Sequence, residues 1–225
     1  GMGDAAVTAY RELGIDTTHV TRHATSPSGV ALIVVDEHGE NAIAVASGAN
    51  ELLLPDDVDR ARAAIVSADV LLLQLEVPLE TVRHAIAVAA AAGVRVILNP
   101  APAGPLDESL LSRVWLVTPN ETEAAMLTGG STADLDAAAA AVSLRARGPR
   151  GVVITLGARG ALALDSRTCL HLPAHPVQPV DTVAAGDVFN GCLAVAVAEG
   201  RDLADAVRFA TAGAALSVTR RGAQD

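Results

Sequence analysis

Residues 181–191 have the sequence DTVAAGDVFNG, and this stretch decides the fold more than any other. Small residues precede a long apolar helical pattern, so backbone N–H groups can point at an anion from the start of the helix, which carries roughly half a positive charge. Asp187 stands where its carboxylate could accept the proton of a hydroxyl that attacks a phosphoryl group held there. An isolated Gly-Asp pair is more often a helix cap, and that alternative stays open at this point.

Working outward from this stretch, apolar β-branched runs alternate with Ala-rich helical patterns. The pattern predicts an α/β sheet whose mainly parallel strands are joined by crossover helices. We predict strands at 70–73, 94–98, 114–117 and 152–154, helices at 78–92, 120–128 and 133–147, and two further helices at 186–200 and 203–218.

One segment departs from the alternation. Residues 29–35 and 41–47 are apolar and flank a polar turn at 36–40 that contains a glycine. This pattern predicts a β-hairpin outside the main sheet, with both faces fairly apolar. Such a hairpin would cover a site or a partner subunit.

The composition excludes several classes of protein. The net charge is −10 and every one of the 16 basic residues is arginine, so nucleic-acid and membrane partners are not expected. Without lysine there is no Walker P-loop, no protein-kinase strand lysine and no Schiff base. A nucleotide would have to be held by backbone amides and arginine. The two cysteines have no metal-ligand spacing, and we expect a cytoplasmic protein.

The stretch 181–191 resembles the DTxGAGDxFxG motif of the PfkB carbohydrate kinase family, with Ala184 in place of the first glycine. The resemblance implies a three-layer α/β/α sandwich of the ribokinase type. It also implies that Asp187 is the catalytic base, and that the backbone amides of Ala184, Ala185, Gly186 and Asp187 bind the transferred phosphoryl group.

Other family motifs follow in the family's order. Asn120 and Glu123 match the NxxE motif, in which the asparagine lies near the nucleotide phosphates and the glutamate helps to hold Mg²⁺; a capping box is the alternative. Thr211 matches a position beside the adenine of ATP. The nucleotide loop corresponds to Thr155, Leu156, Gly157, Ala158, Arg159 and Gly160, although a β-hairpin turn would also explain its glycines. Asn99, in a Pro-rich loop at a strand end, lies where ligands collect in such sheets.

Four local matches, at 29–34, 39–41, 48–50 and 73–76, resemble the ribokinases within the family. They imply that the hairpin, about 28–48, is a lid over the sugar and a surface for homodimer formation, and that Glu76 and Asp187 contact ribose. The implied reaction transfers the γ-phosphoryl group of ATP to the 5-hydroxyl of D-ribose. The alternatives are another PfkB kinase, acting on deoxyribose, a nucleoside or a ketose, and a non-catalytic nucleotide-binding protein.

The resemblance also implies a K⁺ site beside the anion-binding turn. Its oxygen ligands would come from the carboxylate of Asp181 and the main-chain carbonyls of Val183, Ser217, Arg220 and Gly222. A hard cation prefers such an oxygen cage, and it would tune the electrostatics of the bound anion.

The resemblance begins partway along the family pattern, because Gly3-Asp4 matches a pair that normally follows several strands and helices. We expect a single domain over 1–225, with the catalytic portion at about 115–225. We expect its first strands, the Gly-Gly motif and further sugar ligands to lie outside these residues, since Gly129-Gly130 is in the wrong position. Phosphorylation by 1–225 alone is therefore expected to be poor.

Overall fold

The structure is a computed structural model that describes residues 1–35 and 41–223, with only the backbone for 33–35 and 41–44. The turn predicted at 36–40 and the last two residues lie outside the described residues. The helices are α1 (Met2–Glu12), α2 (Pro55–Arg60), α3 (Arg62–Ser67), α4 (Leu79–Ala91), α5 (Glu108–Leu111), α6 (Glu121–Thr128), α7 (Ala137–Ala146), α8 (Ala185–Ala198) and α9 (Leu203–Ser217). The strands are β1 (Val30–Val35), β2 (Asn41–Ala46), β3 (Val70–Leu73), β4 (Arg95–Leu98), β5 (Leu116–Val117), β6 (Gly151–Thr155), β7 (Ala161–Leu164) and β8 (Cys169–Leu172).

The chain forms two compact units, one of residues 1–64 with 76–85 and the other of residues 65–75 with 86–225. The first unit contains the predicted hairpin, in which β1 and β2 pair antiparallel from Val30 opposite Ala46 to Val35 opposite Asn41. Alternation along the strands directs Leu32 and Val45 to opposite faces, and both side chains are exposed. The interpretation of 1–225 as a single domain stays a prediction.

The second unit contains a six-stranded sheet in the order β3-β4-β5-β6-β7-β8. The first four strands are parallel, whereas β7 and β8 continue the sheet antiparallel. The mainly parallel sheet is therefore confirmed. The strands β7 and β8 were not predicted, because neither contains the β-branched residues that marked the other strands.

Helices cover both faces of this sheet. The side chain of Val153 in β6 belongs to a core that includes Phe189 and Leu193 of α8 and residues of α9. Its neighbours Val152 and Ile154 point the other way, into a core with α6 and α7. Because both faces are buried, the central strands are continuously apolar instead of alternating, and the unit has the predicted three layers. Among the described residues, no helix has the length and apolar character needed to cross a bilayer.

The loop from β6 to β7 contains two glycines with positive φ, and they differ in the space around their Cβ positions. Gly160 has φ +95°, and a Cβ there would lie 2.0 Å from the carbonyl oxygen of Leu172. Gly157, three residues earlier, has φ +55° with no atom near its Cβ position. A side chain at position 157 would therefore cause backbone strain alone, whereas one at position 160 would cause both strain and a steric clash.

We predict that Gly157→Ala lowers the free energy of unfolding by about 1–2 kcal/mol, the cost of a left-handed alanine. Gly160→Ala adds a collision with backbone, which cannot move aside, and should cost about 3 kcal/mol or more. Urea unfolding of the two variants and the parent measures both values. Equal losses in the two variants would contradict the close approach of Gly160 to Leu172.

Candidate active site

The N-terminus of α8 is open. Its N-cap residue, Ala184, has φ +60° and makes no side-chain capping bond. Among the described residues it is the only one other than glycine with positive φ. Such a conformation costs an alanine roughly 1–2 kcal/mol, which explains the glycine at this place in the motif.

The first backbone N–H groups of this helix are directed outward. The N–H of Ala185 donates to Thr182 O, whereas those of Gly186 and Asp187 donate to no acceptor in the described part of the chain. Unpaired donors at the start of a 14-residue helix suit an anion.

Asp187 lies in this first turn, and its side chain is exposed. Its Oδ1 accepts a hydrogen bond of 2.7 Å from Nε2 of Gln74, the residue after β3. The carboxylate does not cap its own helix, so the cap interpretation of the Gly-Asp pair is not what the structure contains. Its other oxygen, Oδ2, accepts no hydrogen bond from the described residues.

Hydrogen bonds from the protein interior fix the position of the first turn of α8. Asn190, 4% exposed, donates from Nδ2 to the carbonyl oxygen of Gly186 at 2.9 Å. The hydroxyl of Thr118 donates to Asn190 Oδ1 at 2.6 Å, and the carbonyl of Thr118 accepts from Asn99 Nδ2 at 2.8 Å. The ends of β4 and β5 are thereby joined to the start of α8.

A cavity of about 660 Å³ opens beside this turn. It contains most of the residues predicted to bind nucleotide, namely Asn120, Thr155, Gly157, Ala158, Gly160, Gly186 and Thr211. Ala185 lines it as well. Leu156 packs instead into the core between the sheet and α7. No arginine is in the lining that the structure describes, although Arg159 forms an ion pair with the lining residue Glu121.

The loop 155–160 has the hairpin turn that its glycines suggested, and its role toward a nucleotide stays a prediction. It is the turn between the antiparallel strands β6 and β7, and it also lines the cavity. The N–H of Leu156 donates to Gly160 O, and the ring of His171 contacts Arg159 O at 2.8 Å. The loop is therefore held at both ends without a ligand.

Thr211 lies at the apolar end of the cavity. Its side chain is buried, and its hydroxyl donates to Val207 O one turn earlier in α9. Phe189, Ala214 and Val218 complete this wall. Residues 174–177 and 179 also line the cavity, and they were not predicted because this Pro-containing stretch has no recognisable motif.

Asn120 and Glu123 form a capping box at the start of α6. Asn120 Oδ1 accepts from the N–H of Glu123, and Glu123 Oε2 accepts from the N–H of Asn120, each at 2.8 Å. Burial raises the pKa of Glu123, and the N–H of Asn120 partly offsets this rise. Asn120 lines the cavity but Glu123 does not, so a role of Glu123 toward Mg²⁺ stays a prediction.

A second cavity, of about 240 Å³, lies at the ends of β3 and β4. It is lined by Leu72, Leu73, Gln74, Asn99, Asp187 and Asn190. Asn99 was expected near a ligand from its place at a strand end. Asp187 thus lines one cavity, while the adjacent Gly186 lines the other.

Asp181 joins two of the segments predicted to bind K⁺. Its Oδ1 accepts from the N–H of Val183 at 3.0 Å and its Oδ2 from the N–H of Gly222 at 3.1 Å. These two hydrogen bonds, that of Val183 foremost, lower the pKa of Asp181 below its usual range. The carbonyl of Ser217 accepts from the N–H of Arg220, while no described donor engages the carbonyls of Val183, Arg220 and Gly222.

Glu76, predicted to contact the sugar, belongs to the first unit. It lies in the bend after β3, and its side chain is exposed. Its assignment to the sugar stays a prediction.

Comparison with known proteins is consistent with this geometry. The chain is 43% identical to the ribokinase of Haemophilus influenzae, over 99% of this chain and 73% of that protein. It is 40% identical to the deoxyribokinase of Salmonella typhi, over 99% of this chain and 74% of that protein.

Solved structures show the same fold. The ribokinase of Thermotoga maritima matches with a TM-score of 0.86 and 37% identity, over 98% of this chain and 72% of that one. The ribokinase of Arabidopsis thaliana, solved with ribose and ATP, matches with a TM-score of 0.78 and 31% identity, over 89% of this chain and 66% of that one. The family model described as pfkB family carbohydrate kinase matches residues 2–225, and the chain therefore belongs to that family.

Proposed function

We propose that this chain provides the phosphoryl-transfer centre of an ATP-dependent kinase that phosphorylates the 5-hydroxyl of D-ribose. One observation carries the proposal: the two cavities meet at the first turn of α8, with Gly186 lining one and Asp187 lining the other. A nucleotide and an acceptor alcohol can then approach the same anion-binding turn from opposite sides.

The larger cavity suits ATP in size and polarity. Its volume is within the usual range for small-molecule sites, and its apolar end beside Thr211 and Phe189 suits a purine base. The γ-phosphoryl group would lie at the free N–H groups of Gly186 and Asp187, which stabilise negative charge as it develops. The backbone therefore takes the role that lysine has in other nucleotide sites.

Asp187 accepts the proton in this mechanism. The acceptor hydroxyl in the smaller cavity attacks the γ-phosphorus, its proton passes to Asp187 Oδ2, and the bond to the bridging oxygen of ADP breaks. An exposed carboxylate suits this step when its Oδ2 accepts no hydrogen bond from the residues that the structure describes, while Oδ1 is engaged by Gln74.

Two metal ions belong to the proposal. Mg²⁺ would accompany the nucleotide and neutralise phosphate charge, and the carboxylate of Glu123 would help to hold it. K⁺ would be held by Asp181 and the carbonyls of Val183, Ser217, Arg220 and Gly222, and would add positive charge near the anion-binding turn. The donor set suits a hard cation, because all its members are oxygens and one of them belongs to a carboxylate.

Deoxyribose is the second candidate acceptor, favoured by the 40% identity to a deoxyribokinase. Homodimer formation through the hairpin is also part of the proposal, supported by the exposed side chains of Leu32 and Val45.

Comparing kcat/KM of the complete gene product for D-ribose, 2-deoxy-D-ribose, nucleosides and ketoses distinguishes these acceptors. If none of these acceptors supported the release of ADP, the proposed function would be contradicted.

We predict that Asp187→Ala lowers kcat about 10²–10⁴-fold, because it removes a positioned base. The affinity for ATP should change little, since alanine keeps the backbone N–H at this position and Asp187 lines the smaller cavity. Coupled assay of ADP release and calorimetric titration of nucleotide measure the two quantities. Asp205→Ala, which removes an exposed acid from the first turn of α9, is the matched control and should keep full activity. Near-normal turnover of Asp187→Ala would remove the base from the mechanism.

We predict that turnover rises when K⁺ replaces Na⁺ or Tris, and that Asp181→Asn weakens this response. The control is Asp165→Asn, because Asp165 also accepts two backbone N–H bonds, from Arg167 and Thr168, but in a turn between β7 and β8. Asp165→Asn should retain the response to K⁺. Equal rates in all three cations would exclude the site, and an unchanged response in Asp181→Asn would exclude Asp181 as a ligand.

A further inference from the structure

The main chain at Gln74 is fixed on both sides. The carbonyl of Leu73 accepts from the N–H of Asn99 at 2.8 Å, and the N–H of Leu75 donates to the carbonyl of Ala101 at 2.9 Å. These bonds attach the end of β3 to the chain that follows β4. The backbone position of Gln74 is therefore fixed, and the direction of its amide group depends only on its side-chain torsion angles.

The amide of Gln74 has one arrangement that suits its neighbour. Nε2 lies 2.7 Å from Asp187 Oδ1, so an N–H donates to the carboxylate. With the amide reversed, its carbonyl oxygen would face the carboxylate and the two would repel each other. A donor bound to an ionised acceptor also forms a stronger hydrogen bond than a neutral pair does.

Asp187 has a competing orientation that this bond prevents. It is the third residue of α8, and an acidic side chain there commonly reaches back to the N-cap backbone N–H. Asn120 and Glu123 show that geometry in α6. If Asp187 folded back onto Ala184 in this way, it would bring negative charge to the turn that must bind a phosphoryl group.

We infer that Gln74 is a positioning residue for Asp187: its N–H holds Oδ1 away from the helix N-terminus and leaves Oδ2 facing the acceptor cavity. This inference rests on the proposed function of Asp187 as the base. Gln74 itself takes no proton and forms no bond to the reacting atoms. Its effect should appear only when the Asp187 carboxylate is present.

The test is a double-mutant cycle in the complete gene product, with Gln74→Met, Asp187→Asn and the double variant. Methionine keeps the length of glutamine but has no N–H donor. In the parent background we expect Gln74→Met to lower kcat about ten- to a hundredfold, the loss of one hydrogen bond to a charged group. The KM values for ATP and sugar should stay within about twofold.

In the Asp187→Asn background, the same change should have almost no effect on the residual kcat, because the group that Gln74 positions is gone. Gln74→Glu should lower kcat in the parent at least as far as methionine does, since two carboxylates would repel. Gln178→Met is the matched control, because Gln178 is exposed and lines neither cavity. It should leave kcat unchanged.

Three results would overturn the inference: an equal loss of kcat in both backgrounds, a raised KM for sugar with unchanged kcat, or no effect of Gln74→Met in an active parent. The second result would make Gln74 a sugar ligand instead. Thermal unfolding should be unchanged in Gln74→Met, and a large shift would also count against a positioning role. An inactive parent would instead contradict the proposed function, so failure of that proposal can be told apart from failure of the inference about Gln74.

Discussion

The buried hydrogen bond between Thr118 and Asn190 is the interaction on which the site depends. Through it the end of β5 fixes the first turn of α8, since Asn190 also binds the carbonyl of Gly186. Leaving a buried partner unsatisfied costs about 1–3 kcal/mol, so the link resists displacement. No side chain of the described residues caps this turn. Asn120, Asp136 and Asp202 cap α6, α7 and α9, whereas α8 begins with a left-handed alanine and free N–H groups.

The sheet determines which groups meet at this turn. Parallel strands end at one edge, so β3, β4 and β5 bring Gln74, Asn99 and Thr118 to the start of α8. The antiparallel pair β6 and β7 then contributes a tight loop to the other side of the turn. One side consequently forms the larger cavity and the other forms the smaller one, with the helix terminus between them.

Sequence reasoning found the parts of the site that are local in the chain. The small residues before Asp187 and the glycines of the loop 155–160 are required by backbone conformation, so their pattern is visible without a partner. The alternation of apolar runs and helical patterns likewise predicted the strands β3 to β6, because these strands are nearly continuous apolar runs, and β4, β5 and β6 bury both faces.

The remaining features depend on contacts between distant residues. Gln74 and Asp187 are 113 positions apart, and Thr118 and Asn190 are 72 apart, so no local pattern connects them. The antiparallel strands β7 and β8 were missed because they contain no β-branched residues. Residues 174–177 and 179 were missed because they line the larger cavity from a loop that contains no recognisable motif.

The central claim is that the first turn of α8 binds the transferred phosphoryl group while Asp187 faces the acceptor. A crystal structure of the complete gene product with ADP, Mg²⁺, fluoroaluminate and D-ribose tests it most directly. We expect the fluoroaluminate to accept hydrogen bonds from the N–H groups of Gly186 and Asp187, with Asp187 Oδ2 within hydrogen-bond distance of the ribose 5-oxygen. Fluoroaluminate bound away from this turn, or ribose with its 5-oxygen out of reach of Asp187, would contradict the account.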